Sequence, residues 1–292
     1  MTTHWVYCIV LLILFSTSCK QQKEKSEQQQ GEGQKPAVTL FWDKYNLEDT
    51  VAIVRPEIGE QAIVDFITIA QQSDSKESVA ALKKMLQRAS QTPAVLEFFV
   101  ENFGKYLYNP NSSMYNEELY LPVLEFMAQN EDIPQYEKQR FEQRLALIRR
   151  NNAGTKATNF VFQTPDGKRH DMYSQEAPYT LLFFYEPGCG GCASAIENLQ
   201  PELTVQEWIR RGDLQILAIY ATAEYSLWKD YQQYIPPLWI NGINTDRSII
   251  ADNLYDLKAS PTFYLLDSNK VVLLKDRNLA ENILYLGQFL GQ

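Results

Sequence analysis

Two hydrophobic rhythms divide the chain. From Ala37 to about Asn151 apolar residues return every three or four positions, the spacing of helices with one buried face. Ile63, Phe66, Ile67 and Ala70 form one stripe; Val79, Leu82, Met85 and Leu86 form another. Thr92 and Pro93 supply an N-cap and a first-turn proline for a helix bearing Val95, Leu96, Phe99, Phe103 and Tyr106. After the turn-forming Asn109-Pro110-Asn111-Ser112-Ser113, two more helices are predicted, over 117–128 and 135–150, the second burying Phe141, Leu145 and Ile148.

Past Asn152-Ala153-Gly154 the rhythm shortens to that of strands. Phe160-Val161-Phe162, the turn Thr164-Pro165-Asp166-Gly167 and residues 168–173 read as a hairpin. Leu181 to Tyr185 is an unbroken apolar and aromatic run bounded by Pro187 and Gly188, as in a strand buried on both faces of a parallel sheet. A helix begins at Cys189, with Ala193, Ile196, Leu199 and Leu203 at helical spacing; Pro201 should break or kink it before a second helix through Trp208. A strand over 214–221, a helical insert over 223–234 and the loop Ile235-Pro236-Pro237-Leu238-Trp239 follow. Then come a helix over 248–254, a hairpin of 262–266 with 271–275, and a closing helix over 281–290.

At 292 residues and 45% apolar content, the chain has room for two domains and is not wholly disordered. A formal charge of −9 argues against a nucleic-acid surface. Residues 1–18 carry no Asp, Glu, Lys or Arg, and the apolar run from Trp5 to Phe15 is too short to span a bilayer comfortably. Followed by Ser16-Thr17-Ser18-Cys19, it resembles a bacterial lipoprotein signal with Cys19 as the lipidated first residue; an ordinary secretory signal is the alternative, and export follows from either. Residues 20–36 lack large apolar side chains and read as a tether spanning roughly 20–25 Å as a coil. The organisation expected is a signal peptide (1–18), a tether (19–36), an all-α domain (37–152) and an α/β domain (153–292).

Cysteine usage changes the picture most. Cys8 leaves with the signal and Cys19 carries lipid, so the exported body holds only Cys189 and Cys192. A disulfide between them closes too short a loop to stabilise the fold, which points to chemistry. A structural zinc site needs a second Cys or His pair, and the only histidines are His4 and His170. Cys189 lies where unpaired N–H groups and the macrodipole of a helix N-terminus stabilise negative charge. Cys192, three residues later on the same face, is placed to attack a mixed disulfide at Cys189. An Xaa-Pro precedes a later strand in Ala259-Ser260-Pro261-Thr262-Phe263-Tyr264-Leu265-Leu266.

In strand, turn, CxxC, helix and later Pro-strand, residues 155–292 resemble the thioredoxin superfamily, and most closely its membrane-tethered TlpA/ResA-like thiol-disulfide oxidoreductases. The resemblance implies a central mixed sheet flanked by helices, Cys189 as nucleophile, Cys192 as resolving thiol and no cofactor beyond their redox-active disulfide. It implies that Pro261 is a cis-proline packed on the pair, with the Ser260 backbone pairing an incoming substrate strand; a trans-proline opening an edge strand is the alternative. Tyr185, at the place of a family Trp, and Gly188 would wall the site. The family's proton-accepting acids are missing, for Phe183 and Ala195 occupy their positions. Glu186 is the only acid close by, either a base for Cys192 with a raised pKa or a solvated residue at the strand exit.

Gly190 and Gly191 bring no His, Lys or Pro between the cysteines, which favours a reductase or isomerase over a strong oxidant. Expected partners are exported proteins with thiols or disulfides, a membrane electron-donor protein and the membrane through a lipid anchor facing the periplasm; no nucleic acid is expected. The helical region, through Phe41-Trp42-Asp43 and Tyr106 to Ser112, resembles an uncharacterised domain that precedes thioredoxin domains in Bacteroidetes lipoproteins. The competing reading is a lipid-anchored binding or scaffold protein whose helical domain carries the function.

Overall fold

A computed structural model describes residues 36–291. The expected signal peptide, Cys19 and nearly all of the tether lie outside the described residues. Packing divides the chain after Met85, and the two units are taken in turn. In the first, α1 (Gln61–Ala70) buries Ile63, Phe66, Ile67 and Ala70 as the stripe requires. The Phe41 and Trp42 rings pack at a tilt against Phe66, with ring centroids 5.7 and 5.2 Å away. In α2 (Ser75–Ala89), which runs across the boundary, Leu82 and Met85 are buried while Val79 is only half-buried.

The second unit begins with α3 (Pro93–Leu107), α4 (Glu117–Gln129) and α5 (Gln135–Arg149). Pro93 takes the first position of α3, but the Thr92 side chain makes no capping bond; the fixed φ of proline is what starts this helix. Asn116 does cap α4, its Oδ1 accepting from the Leu119 N–H at 3.0 Å. Two sequence expectations shift here. Leu107 rather than Tyr106 ends the buried stripe of α3. In α5 only Ile148 is buried, whereas Phe141 and Leu145 are half-buried, because the face bearing Phe141 borders a cavity.

Seven strands form one mixed sheet in the order β2-β1-β5-β4-β3-β6-β7. They are β1 (Val161–Gln163), β2 (Arg169–Asp171), β3 (Tyr179–Tyr185), β4 (Leu214–Tyr220), β5 (Ile240–Ile243), β6 (Thr262–Asp267) and β7 (Val272–Lys275). Strand β3, inside the sheet, runs parallel to β4 and antiparallel to β6. Its apolar run is continuous because both faces are covered. Leu181, Phe183 and Tyr185 face the layer of α6 (Gly190–Leu199), α7 (Leu203–Arg211), α8 (Tyr225–Tyr231) and α9 (Leu279–Leu290). Leu182 and Phe184 face a second core with Phe160, Phe162, Met172, Ile249 and Tyr255. Pro201 falls between α6 and α7, which breaks the helix rather than kinking it.

Strand β5 has no counterpart in the hydrophobic pattern, since Asn241 and Gly242 interrupt it. Both are required by what they touch. A Cβ on Gly242 would lie 2.5 Å from the Phe162 ring and 2.8 Å from Ile219. Asn241 holds two buried donors described below. The helix expected over 248–254 shortens to one helical turn, Ser248–Ala251, and Asn253, at a positive φ of 50°, keeps it from continuing.

Helices α3 to α5 are fixed to the sheet by a buried ionic cluster. Lys258 Nζ lies 2.8 Å from Glu117, 2.9 Å from Asp256 and 2.7 Å from Asp276. Lys275 reaches the other oxygen of Glu117 at 3.0 Å. Tyr115 donates to Asp276 at 2.9 Å, and the Tyr108 hydroxyl sits 3.2 Å from both oxygens of Asp256. Burial alone would push the Lys258 ammonium down, but Asp276, Asp256 and Glu117 together hold it above the ordinary lysine value. Among the carboxylates Asp256 is the reluctant one, raised by a burial that Lys258 does not fully offset. Replacing Lys258 by Ala removes the ammonium that Asp256 and Asp276 share and leaves Glu117 with Lys275, a loss expected to cost about 3–5 kcal/mol in a urea titration. A change under about 1 kcal/mol would show that water reaches the cluster.

Candidate functional site

The sheet brings two distant segments together. Antiparallel pairing sets Phe184 of β3 opposite Thr262 of β6, so the C-terminal exit of one strand lies beside the entry of the other. Glu186, Pro187 and Gly188 carry the chain out of β3, with Gly188 at a φ of 81° that only glycine adopts freely. Cys189 then occupies the N-cap of α6, where its sulphur accepts the Cys192 N–H at 3.2 Å. The Cys189 thiol donates to the Ser260 carbonyl at 3.3 Å. Both cysteines are free thiols, Cys189 half-buried and Cys192 fully buried.

The Ser260–Pro261 peptide is cis. Gly191 lets this bend approach the cysteines, for a Cβ there would lie 3.2 Å from the Pro261 ring and 3.5 Å from the Ser260 carbonyl oxygen. Ser260 itself is exposed. The structure thus gathers Cys189, Cys192, Ser260 and Pro261 at one edge of the sheet.

Glu186 is half-buried, and its Oε1 accepts from the Thr222 hydroxyl at 2.6 Å. Burial raises the carboxyl above the usual range, and the Thr222 bond offsets part of that rise. No described hydrogen bond joins this carboxylate to either thiol. It acts on Cys192 as a nearby charge. Burial, with the Cys189 contact adding to it, pushes the Cys192 thiol up to about 12.

Tyr185 does not face solvent. Its hydroxyl donates to Asn241 Oδ1 at 2.9 Å, and Trp228 Nε1 donates to the same oxygen at 3.1 Å. Its ring stacks on Tyr231 at 5.8 Å, so Tyr185 backs the site while Tyr231 covers it. Burial raises the Tyr231 phenol, and charge at Cys192 and Cys189 raises it further. Sequence reasoning missed Thr222, Tyr231 and Asn241. Tyr231 lies within the predicted helical insert and carried no motif; the other two interrupt apolar patterns rather than making one.

The two thiols should separate cleanly by reactivity. Burial pushes the Cys192 thiol up, which disfavours its thiolate at neutral pH and shields it from reagents. Iodoacetamide at pH 7 is expected to label Cys189 at least about tenfold faster, read by mass spectrometry of digests. Comparable labelling of Cys192 would show that the pair opens to solvent.

Residues 37–151 match a family described as a domain of unknown function, DUF5106. The chain is similar to a thioredoxin-like protein from Bacteroides caccae, with 39% identity and a TM-score of 0.81 over 86% of this chain and 91% of that one. It is also similar to the C-terminal domain of an uncharacterised protein from Bacteroides fragilis (41% identity, 47% of this chain, 98% of that one, TM-score 0.46). A domain of a possible thiol-disulfide isomerase from Cytophaga hutchinsonii matches at 23% identity over 48% of this chain and 95% of that one, with a TM-score of 0.39. No protein with a curated description matches. With a 39%-identical relative covered over nine-tenths of its length, the chain belongs to the thioredoxin-like proteins, carrying a DUF5106-type helical domain ahead of its thioredoxin-like domain.

Proposed function

We propose that the chain is a thiol-disulfide oxidoreductase of the TlpA/ResA-like branch, acting on exported proteins in the cell envelope of a Gram-negative bacterium. The observation that carries this reading is the Cys189 sulphur, held between the Cys192 N–H and the Ser260 carbonyl at the start of α6. The charge-free apolar leader ending at Cys19 supports a lipid anchor facing the periplasm. The two glycines between the cysteines support the reducing or isomerising direction, with a membrane electron-donor protein restoring the dithiol.

In that direction Cys189, as thiolate, attacks one sulphur of a substrate disulfide. The substrate S–S bond breaks, a mixed disulfide forms, and the leaving sulphur takes a proton. Cys192 then loses its proton and attacks Cys189. The mixed disulfide breaks, the second substrate thiol leaves, and two electrons have passed from the dithiol to the substrate. The buried Cys192 thiol makes its deprotonation the demanding step, and Glu186 accepts that proton through water. Ser260, Pro261, Gly188 and Tyr185 frame the substrate strand, with Tyr185 contributing from behind Tyr231.

A redox titration of the Cys189/Cys192 pair, read by thiol alkylation, tests the reading. A reversible two-electron transition near or below about −270 mV is expected, and the Cys189→Ser/Cys192→Ser variant should lose it. No reversible transition would remove the function from the cysteines. For Glu186 the sign is set by its raised carboxyl: the base is the carboxylate, so resolution slows as pH falls through that raised value. Glu186→Gln should slow resolution about 10²-fold and flatten this acidic limb. Thr222→Val removes the bond that holds the carboxyl down and should move the limb to higher pH. An unchanged pH–rate profile in both variants would exclude Glu186 as the base.

A further inference from the structure

Helices α3, α4 and α5 leave a half-open cavity of about 920 Å³ that the dithiol chemistry does not use, a size in the range of ligand sites at roughly 300–1,000 Å³. One wall is a single face of α3, where Pro93, Leu96, Val100 and Gly104 recur at helical spacing. The opposite wall is the face of α5 that bears Phe141, which explains why that residue is only half-buried. Tyr120 and Met127, seven residues apart on α4, form the floor. Gly104 keeps the floor open: a Cβ there would lie 3.2 Å from the Tyr120 hydroxyl.

Three features identify the occupant. The α3 wall runs from Pro93 to Gly104, about 18 Å, which suits a length of polypeptide better than a compact small molecule. The edges carry Glu97, Glu101, Asp132 and Glu137 against Arg140 and Arg144. Arg144 is turned onto the aromatic floor, over the Tyr108 ring at 5.1 Å and within 3.5 Å of the Tyr120 hydroxyl, so the edges are acidic. The cavity also reaches Asp256 and Lys258. Lys258 is two residues from Ser260, no more than about 7 Å along the chain, and the Ser260 carbonyl receives the Cys189 thiol.

We infer that this groove docks a segment of the disulfide-bearing polypeptide on which the cysteines act, with apolar side chains on the Tyr120–Met127 floor and a Lys or Arg against Glu97 and Glu101. The inference rests on the oxidoreductase reading and gives the helical domain a part in it. A segment lying there reaches Lys258, two residues from the Ser260 bend. Substrate choice then depends on sequence near the disulfide, and small disulfides bypass it.

The test uses the full chain and a labelled peptide of about 14 residues, about 21 Å as a helix, with Leu and Phe at positions i and i+4 and Lys at its ends. Binding is measured by fluorescence anisotropy to the Cys189→Ser/Cys192→Ser variant, so that it is independent of redox activity. Phe141→Ser and the exposed-charge reversal Glu97→Lys/Glu101→Lys are each expected to weaken binding at least about tenfold. With the wild-type cysteines fully reduced beforehand, the same changes should lower the single-turnover rate constant for a version of the peptide that carries one Cys as a mixed disulfide with thionitrobenzoate, and leave that for the small dithiobis-nitrobenzoate disulfide unchanged. Equal binding of a peptide with Ser in place of Leu and Phe would overturn the inference. So would binding insensitive to both variants, or occupation of the groove by laurate but not by the peptide, which would make it a site for a small amphiphile. Failure of wild-type protein to reduce the small disulfide would instead overturn the oxidoreductase reading, while the binding result stands on its own.

Discussion

The antiparallel register of β3 with β6 is the constraint on which the site depends. Because Phe184 pairs with Thr262, the turn that leads to Cys189 and the bend at Ser260–Pro261 emerge at the same sheet edge, although more than 70 residues separate them. Neither segment builds the site alone. The register is in turn specified by burial on two sides: a shift of one residue would exchange Phe183 and Tyr185 with Leu182 and Phe184 between two different cores. The fold fixes the site by fixing which aromatic faces which layer.

Around that register the molecule uses buried polar groups sparingly and at joints. Asn241 satisfies Tyr185 and Trp228 with one oxygen, joining β3, α8 and β5 behind the cysteines. The Lys258 cluster joins α4 and the segments after α3 to the loop that leads into Ser260. A buried ion cluster is weak evidence for stability as such. Its geometry here is better understood as registration, since Arg150 and Asn151 add further bonds to the carbonyls of Asp252, Asn253 and Leu254 in the same loop. The family boundary near residue 151 and the packing boundary after Met85 therefore fall in different places.

What the sequence made legible follows the same physics. The run from Leu181 to Tyr185 and the CxxC after it announce themselves because burial on both faces leaves no polar interruption and because two lone cysteines are conspicuous. Strand β5 was invisible because its purpose lies in an amide and an absent side chain, at Asn241 and Gly242, which read as loop. The ionic cluster draws on positions 117, 256, 258, 275 and 276, and no local pattern links residues that far apart. Phe141 and Leu145 read as core because periodicity marks a face as apolar without saying whether protein covers it. Glu186 could be picked as the nearby acid, but not its partner Thr222, which sits just past the end of β4.

The bond from the Cys189 thiol to the Ser260 carbonyl has a consequence for timing. In the dithiol that carbonyl, which the proposed function would have pair with a substrate backbone, is already engaged by the Cys189 thiol proton. Once the sulphur gives up that proton and enters a disulfide, it has nothing left to donate, and the carbonyl is released to a new N–H. Covalent attachment and the grip on the visitor's main chain are thereby linked through one hydrogen atom. In the proposed reducing direction the polypeptide leaves when Cys192 attacks Cys189, and the carbonyl is engaged again only once the dithiol has been restored.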